Sequence, residues 1–439
     1  MNIYKLVKSN PIILVFLIGS LHLFLMWPGI LSPDSQTQYA MAIAGIYNDH
    51  HPPLMAFVWR YFNYIIPGSG MMFLLHLSLL YSAIFYLIKS FNNFKFKFVF
   101  LLFSLIPQIF FYSNMIWKDV GFTFSFLFVA AYLNYVTATK QSLTWYKTII
   151  LIIILLYGSA IKFQAQFCAP ILLAWLLCVL SNYQINIKNF VKLFSVLILL
   201  FYTILNSINY LLIPNVQKNH SWQNVKLYDL AAISVAVNKN CFPNFTTHDT
   251  FSMHELNKRF NRKTLDRLSY YMVDDLIFDN PILRTGNNKL ERKELYVKWV
   301  KTILKYPYIY FKHRVINMVS MLLYHPSFKY IDKIFKNYSM LYFLANFMAY
   351  VIMSNLIPAI LCFMYFILGI FAFRITIWPA VSLIFFNAVG LAMLLVLFFC
   401  SMAGTPRYTY IMICMVHASH VFAYLCFKNL RTLIKKCSN

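Results

Sequence analysis

The chain has 439 residues, of which 60% are hydrophobic and only 12% charged, and its mean hydropathy is +0.63. A soluble domain carries roughly twice that charged share, so the composition excludes an ordinary soluble protein and leaves a polytopic membrane protein. The net charge of +25 does not indicate nucleic acid. Many Lys and Arg residues lie in short loops between apolar runs, where they act as orientation signals and headgroup contacts, and no basic module stands apart from the membrane.

Repeated apolar runs of about 20 residues must be helices, because lipid does not tolerate unpaired backbone groups. The first predicted span covers residues 11–27, with Lys5 and Lys8 on its entry side. It has no A-x-A cleavage signal and is expected to remain as an uncleaved helix. Trp27-Pro28-Gly29 ends it at the water boundary and opens a first outer loop, residues 28–69. Asp34 lies at the start of this loop. His50, His51 and Pro52-Pro53 then break the following amphipathic segment before it can become a span. Residues 53–66 are amphipathic and too short to cross, so they are expected to lie in the interface.

The second span covers 70–88 and ends at Lys89, Lys95 and Lys97. The third, 98–113, returns to a short turn carrying Asn114, Trp117, Lys118 and Asp119. The fourth span is 120–136, the fifth 148–160, running into Lys162, Gln164 and Gln166, the sixth 167–180 and the seventh 190–212. Residues 214–338 form a hydrophilic insert, mainly helical, whose second half from Leu290 to Tyr324 has a 3.6-residue apolar rhythm. An eighth span is placed at 347–373, a ninth at 377–399 and a tenth at 410–427, with a Gly404-Thr405-Pro406-Arg407-Tyr408 loop before the last.

The expected fold is therefore all-α, with about ten transmembrane helices. An N-terminal membrane domain (1–213), an extracytoplasmic insert (214–338) and a C-terminal membrane domain (339–439) follow one another. Ten spans put both termini on the side that holds nearly every short Lys/Arg loop, which the positive-inside rule makes cytoplasmic. Asp34, His50, His51, Lys118, Asp119, Lys162, the insert and Arg407 then all fall on the outer face. Splitting residues 341–373 into two spans would put the basic C-terminus outside.

The acids sharpen this picture. Ten of the 13 Asp and Glu residues lie in the insert, leaving Asp34, Asp49 and Asp119 for the whole membrane framework. Acids so scarce in such a setting point to function. Of the eight cysteines, seven sit in or beside apolar runs and Cys241 is alone in the insert, which reads as small hydrophobes plus one free thiol. The His and Asp residues lack a metal-ligand spacing such as H-E-x-x-H, and neither metal nor other cofactor is expected.

Two carboxylates, Asp34 and Asp119, thus face the cations Lys118, Lys162 and Arg407, with His51 able to join them. Cations at the lipid–water boundary suit a phosphate whose tail stays in the bilayer. A carboxylate at the mouth of a dry cavity suits a general base that deprotonates an acceptor hydroxyl. Each residue also has a structural alternative. Asp34 suits a helix cap, Asp119 an N-cap or a pair with Lys118, and Lys162 a snorkelling cation. His50 suits a surface hydrogen bond, Arg407 a headgroup anchor and Asp49 an Asn-Asp turn.

The Ser32-Pro33-Asp34-Ser35 loop after the first span, His51-Pro52-Pro53-Leu54, Asp119 before the fourth span and the late Arg407-Tyr408 loop resemble the GT-C membrane glycosyltransferases. That group includes the protein O-mannosyltransferases and the bacterial aminoarabinose transferases. The resemblance covers the architecture of most of the chain and implies a polyprenyl-phosphate-linked sugar donor, with an active site facing away from the cytoplasm. It makes Asp34 the catalytic base and Asp119 the second acid. Lys118, Lys162, Arg407 and His51 then hold donor phosphate, while Gln38, His50, Gln164 and Tyr408 line the acceptor or sugar pocket. The aminoarabinose branch has Lys where this chain has His51, so a phosphate contact there would depend on pH. The implied setting is a bacterial inner membrane, with a surface glycan or lipid as acceptor and membrane lipids as further partners. Two other classes share many spans with a large outer loop or with lipid-linked sugars. An O-antigen polymerase or ligase should place key Arg and His residues in the insert, such as Arg259, Arg262, His313 and Arg314. A transporter or flippase should show ionisable residues or broken helices at mid-membrane.

Overall fold

The computed structural model describes residues 11–261, 265–269, 272–273, 276–277, 281–323 and 354–437. Lys5, Lys8, Arg262, Asp332, the end of the insert at 338 and the start of the eighth span at 347 lie outside them. The described chain is mainly helical, its few strands being two residues long. It divides into two compact units, residues 1–216 with 325–394 and 409–439, and residues 217–324 with 395–408.

The first unit opens with α1 (Pro11–Met26), α2 (Pro33–Ala44), α3 (Leu54–Ile65) and α4 (Gly70–Lys89). Next come α5 (Phe94–Leu101), α6 (Pro107–Ser113), α7 (Lys118–Thr139) and α8 (Trp145–Ala160). A 3-10 turn, Phe163–Phe167, leads into α9 (Ala169–Leu180), and α10 (Ile187–Ser207) ends in a π turn, Ile208–Leu212. Leu356–Ala372 (α11) and Tyr410–Cys437 (α12) close the bundle. Among the described residues, six helical stretches are long and apolar enough to cross a membrane. There are seven if the bent pair Phe94–Leu105 and Pro107–Ser113 is one span. Three shorter apolar helices, α1, α8 and α11, add to these. Such a bundle is compatible with a multi-pass membrane protein.

α7 is the centre of this unit. It packs against α4, α8, α9 and α12, and Phe122, Phe124, Phe126, Leu127 and Leu133 are fully buried. α10 is its opposite, with Val191, Leu193, Leu199 and Leu200 exposed, the outward apolar face that lipid would cover. Lipid provides no hydrophobic drive between helices, so buried polar groups fix the contacts. Asn134 on α7 accepts from Trp378 Nε1 at 3.0 Å and Ser382 Oγ at 2.7 Å, and donates to Ser90 Oγ at 2.7 Å. The third predicted span departs from a single rod. Pro107 forces Ile106 into an extended conformation, and the helix bends by 50° there.

The second unit is built on Gln223–Val237 (here αA), against which Met253–Arg259 (αB), Lys289–Lys305 (αC) and Pro307–Leu323 (αD) pack. Leu227, Tyr228, Leu230, Ile233, Leu256, Leu268, Ile282 and Leu295 make its core. Its helices carry the terminal signals of soluble helices. Ser252 caps αB, Asn288 and Glu291 form a capping box at αC, and Pro307 opens αD.

Candidate functional site

The first outer loop is fixed by its own sequence. Ser32 is extended and caps α2, Pro33 takes the first helical position, and Asp34 therefore falls in the first turn. Gly45, at φ +69°, ends the helix in the left-handed conformation that glycine adopts without strain. Four hydrogen bonds then join this loop to the turn before α7. Ile30 N–H donates to Asn114 O at 2.8 Å, and Ile116 N–H donates to Ile30 O at 3.0 Å. Trp117 Nε1–H donates to Ser32 Oγ at 2.6 Å, and Ser35 Oγ–H donates to Ile116 O at 2.6 Å. The starts of α2 and α7 thus lie side by side, with Asp34 and Asp119 each at the second position of its helix. Both acids therefore lie in the first turn of a helix, the end at which helix geometry accommodates acidic side chains.

The turn is held from below. His22 on α1 contacts Asn114 Oδ1 at 2.8 Å through Nε2 and Tyr81 Oη at 2.9 Å through Nδ1, while Asn114 Nδ2 donates to Phe110 O at 2.8 Å. Sequence reading missed this triad; its one signal is a lone His in the middle of the first apolar run.

Asp119 forms an ion pair with Lys162, and both residues are only 2% exposed. Its second oxygen, Oδ2, is buried with no hydrogen-bond partner among the described residues. Lys118 pairs instead with His51 Nδ1. An ammonium donating to Nδ1 leaves the ring hydrogen of neutral His51 on Nε2. The His50 ring lies tilted against that of His51 at 4.8 Å between ring centroids, and the His50 backbone N–H donates to Asn48 Oδ1 at 3.0 Å. Gln38, one turn beyond Asp34, is buried; its Nε2 donates to Asp34 O at 3.3 Å and its Oε1 has no partner among the described residues. Gln164 is half-buried in the 3-10 turn just after Lys162.

These contacts resolve three structural alternatives. Ser32, not Asp34, is the cap of α2. Asp119 is not an N-cap, because Trp117 holds that position. Its ion-pair partner is Lys162 rather than the adjacent Lys118. Arg407 and Tyr408 fall in the second unit, in a 3-10 turn where the guanidinium lies 5.5 Å from the Tyr408 ring centroid.

The second unit has a charged centre of its own. Asp229 Oδ2 accepts from Arg314 Nη2 at 2.7 Å and from Trp299 Nε1 at 2.9 Å, while His313 Nε2 lies 3.5 Å from Oδ1. Arg314 also donates to Ser401 O at 2.6 Å and is fully buried. Lys226 lies 3.6 Å over the Trp222 ring; burial pushes its amine down to about 8, with Asp229 and Cys400 pulling the other way. Arg259 is paired within its helix to Glu255 at 2.9 Å. Among the described residues, no group of three or more His, Cys, Asp or Glu side chains is placed to hold a metal ion.

The first unit therefore offers an exposed-to-buried gradient of charge: a half-buried carboxylate, a cation–imidazole couple, and a dry ion pair with one oxygen unused. Such an arrangement can accept a proton at the wet end and hold an anion between helix N-termini and lysines. The chain matches no family model, no curated protein and no solved structure.

Proposed function

We propose that the chain is a membrane glycosyltransferase that moves a sugar from a polyprenyl-phosphate donor to a surface glycan or lipid. The proposal includes a bacterial inner membrane, ten spans, cytoplasmic termini and an extracytoplasmic site. The observation that carries it is the joining of the α2 and α7 starts, together with the Lys118–His51 and Asp119–Lys162 contacts at the start of α7. In this reading Asp34 takes the proton of an acceptor hydroxyl. The freed oxygen attacks the anomeric carbon, the bond from that carbon to the phosphate oxygen breaks, and polyprenyl phosphate leaves with the electron pair. Lys118 and the two helix N-termini offset the charge that develops on the phosphate. Asp119 is paired with Lys162 through one oxygen, and its Oδ2 is the acceptor available to a sugar hydroxyl. Gln38, His50 and Gln164 complete the pocket. The phosphate role of Arg407, with Tyr408 beside it, rests on the GT-C resemblance alone.

The test uses purified protein in detergent micelles, which have no two sides, with a polyprenyl-phosphate sugar and an acceptor glycan. Transfer should occur, and Asp34→Asn should lower its rate by about 10² or more while donor binding persists. Unchanged transfer in Asp34→Asn refutes the base assignment.

A transporter of lipid-linked sugars is the second reading. The 50° break at Pro107 favours it, as do the buried histidines inside apolar helices, His22 and His76. His417 and His420, in contact at 3.0 Å on α12, point the same way. Flipping in proteoliposomes without any transfer in micelles would select it. Nothing comparable favours a polymerase or ligase centred on Arg314, whose guanidinium is committed to Asp229 and Ser401.

A further inference from the structure

The second unit contains a cavity of about 260 Å³ between αA and αD, closed by Phe260. αA contributes Ala232, Val235 and Ala236, whose short side chains leave the space open. αD contributes Tyr308, Ile309, Lys312, His313 and Ile316, a single face by helical spacing. A dry cavity of about 150 Å³ holds benzene, so this one has room for a ring or a chain of about six carbons.

Its polar lining is one-sided. His313 is buried, held 3.5 Å from Asp229 Oδ1 and packed edge-on to Tyr228 at 4.6 Å. Lys312 is exposed and makes no ion pair with any described residue. No carboxylate lines the cavity, and Asp229, behind His313, is already engaged by Arg314 and Trp299. An apolar hole with a lone ammonium at its mouth and an imidazole in its wall is complementary to an anion on a short apolar body.

We propose that this cavity is a binding site for a small anionic amphiphile, with a phosphate or carboxylate at Lys312 and His313 and its hydrocarbon among Ala232, Ala236, Phe260 and Ile309. The site is independent of the transferase reading. The test is calorimetric titration of the full chain in non-ionic detergent with hexyl phosphate, and with hexan-1-ol as the uncharged control. Hexyl phosphate should bind about tenfold tighter than the alcohol, the effect of one charge-assisted contact. Lys312→Gln should remove that advantage, and Ala236→Phe, at an exposed position that tolerates a larger side chain, should abolish binding of both with the thermal midpoint retained. Dihexanoyl phosphatidic acid separates the sources: competition that is lost in Ala236→Phe assigns a lipid, and binding of the single-chain phosphate alone assigns a free ester. Equal affinity for phosphate and alcohol, or affinities unchanged in both variants, overturns the proposal.

Discussion

Removing one partner of the Asp119–Lys162 pair leaves the other charged and dry, which costs about 3–5 kcal/mol. Replacing both with apolar residues of similar volume removes that penalty, because neither desolvated charge remains. Asp119→Asn and Lys162→Met should therefore each lower the thermal midpoint, while the Asp119→Leu/Lys162→Met double variant should return close to the parent. Transfer activity separates the roles. A double variant that is stable but inactive assigns Asp119 to the substrate through its unused Oδ2, and one that regains transfer reduces the pair to architecture. This pairing was not legible from spacing. Lys118 adjoins Asp119 in sequence, but neighbouring residues on a helix point about 100° apart, and only residues three or four apart share a face. Lys118 is turned to His51 instead, and the carboxylate meets a lysine from the far end of α8.

At the scale of elements, the site depends on the junction between α2 and the turn before α7. Ser32 serves both sides of it, capping α2 and accepting the Trp117 indole N–H. Ser32→Ala should cost about 1 kcal/mol as a lost cap and should leave Trp117 Nε1 without its acceptor. The effect should be local. Hydrogen exchange should quicken in residues 33–40 and leave the buried middle of α7 unchanged, with transfer falling as the α2 start loosens. Uniform quickening across α7 would place the junction in the global fold rather than in the site. The apolar runs that became α4, α7 and α10 were plain in the sequence, since each is long and hydrophobic on most faces. α2 was less plain. Its polar first turn, Pro-Asp-Ser-Gln, reads as a loop until the Ser32 cap and Pro33 are taken as a helix start. The break at Pro107 was hidden for the opposite reason: a hydropathy window averages across one proline in an otherwise apolar run.

For the molecule as a whole, the ends of α7 set the sidedness. Its 22 residues span about 33 Å at 1.5 Å per residue, enough to cross the hydrocarbon core. The α2 junction lies at its start, and the exposed loop at Gln141 follows its end. Among the described residues, the six long helices, the bent pair and the three short apolar helices supply ten crossings only if those of 16 or 17 residues also span. At about 24–26 Å each, they fall short of a 30 Å core and must be extended by flanking residues or by local thinning. The basic loops favour this for α8: with the Phe163–Leu180 stretch crossing, Lys140 and Lys147 share a side with Lys188 and Lys192 only if α8 crosses as well. Single cysteines in a background stripped of the native eight give the test, using a membrane-impermeant maleimide on right-side-out vesicles. Thr37→Cys should label in intact vesicles, and Asn92→Cys and Gln141→Cys only after permeabilisation. Labelling of Thr37→Cys and Gln141→Cys from the same side would mean that α7 does not cross. Labelling of Thr37→Cys only after permeabilisation would put Asp34 on the cytoplasmic face, where an undecaprenyl-linked donor presented outward could not meet it.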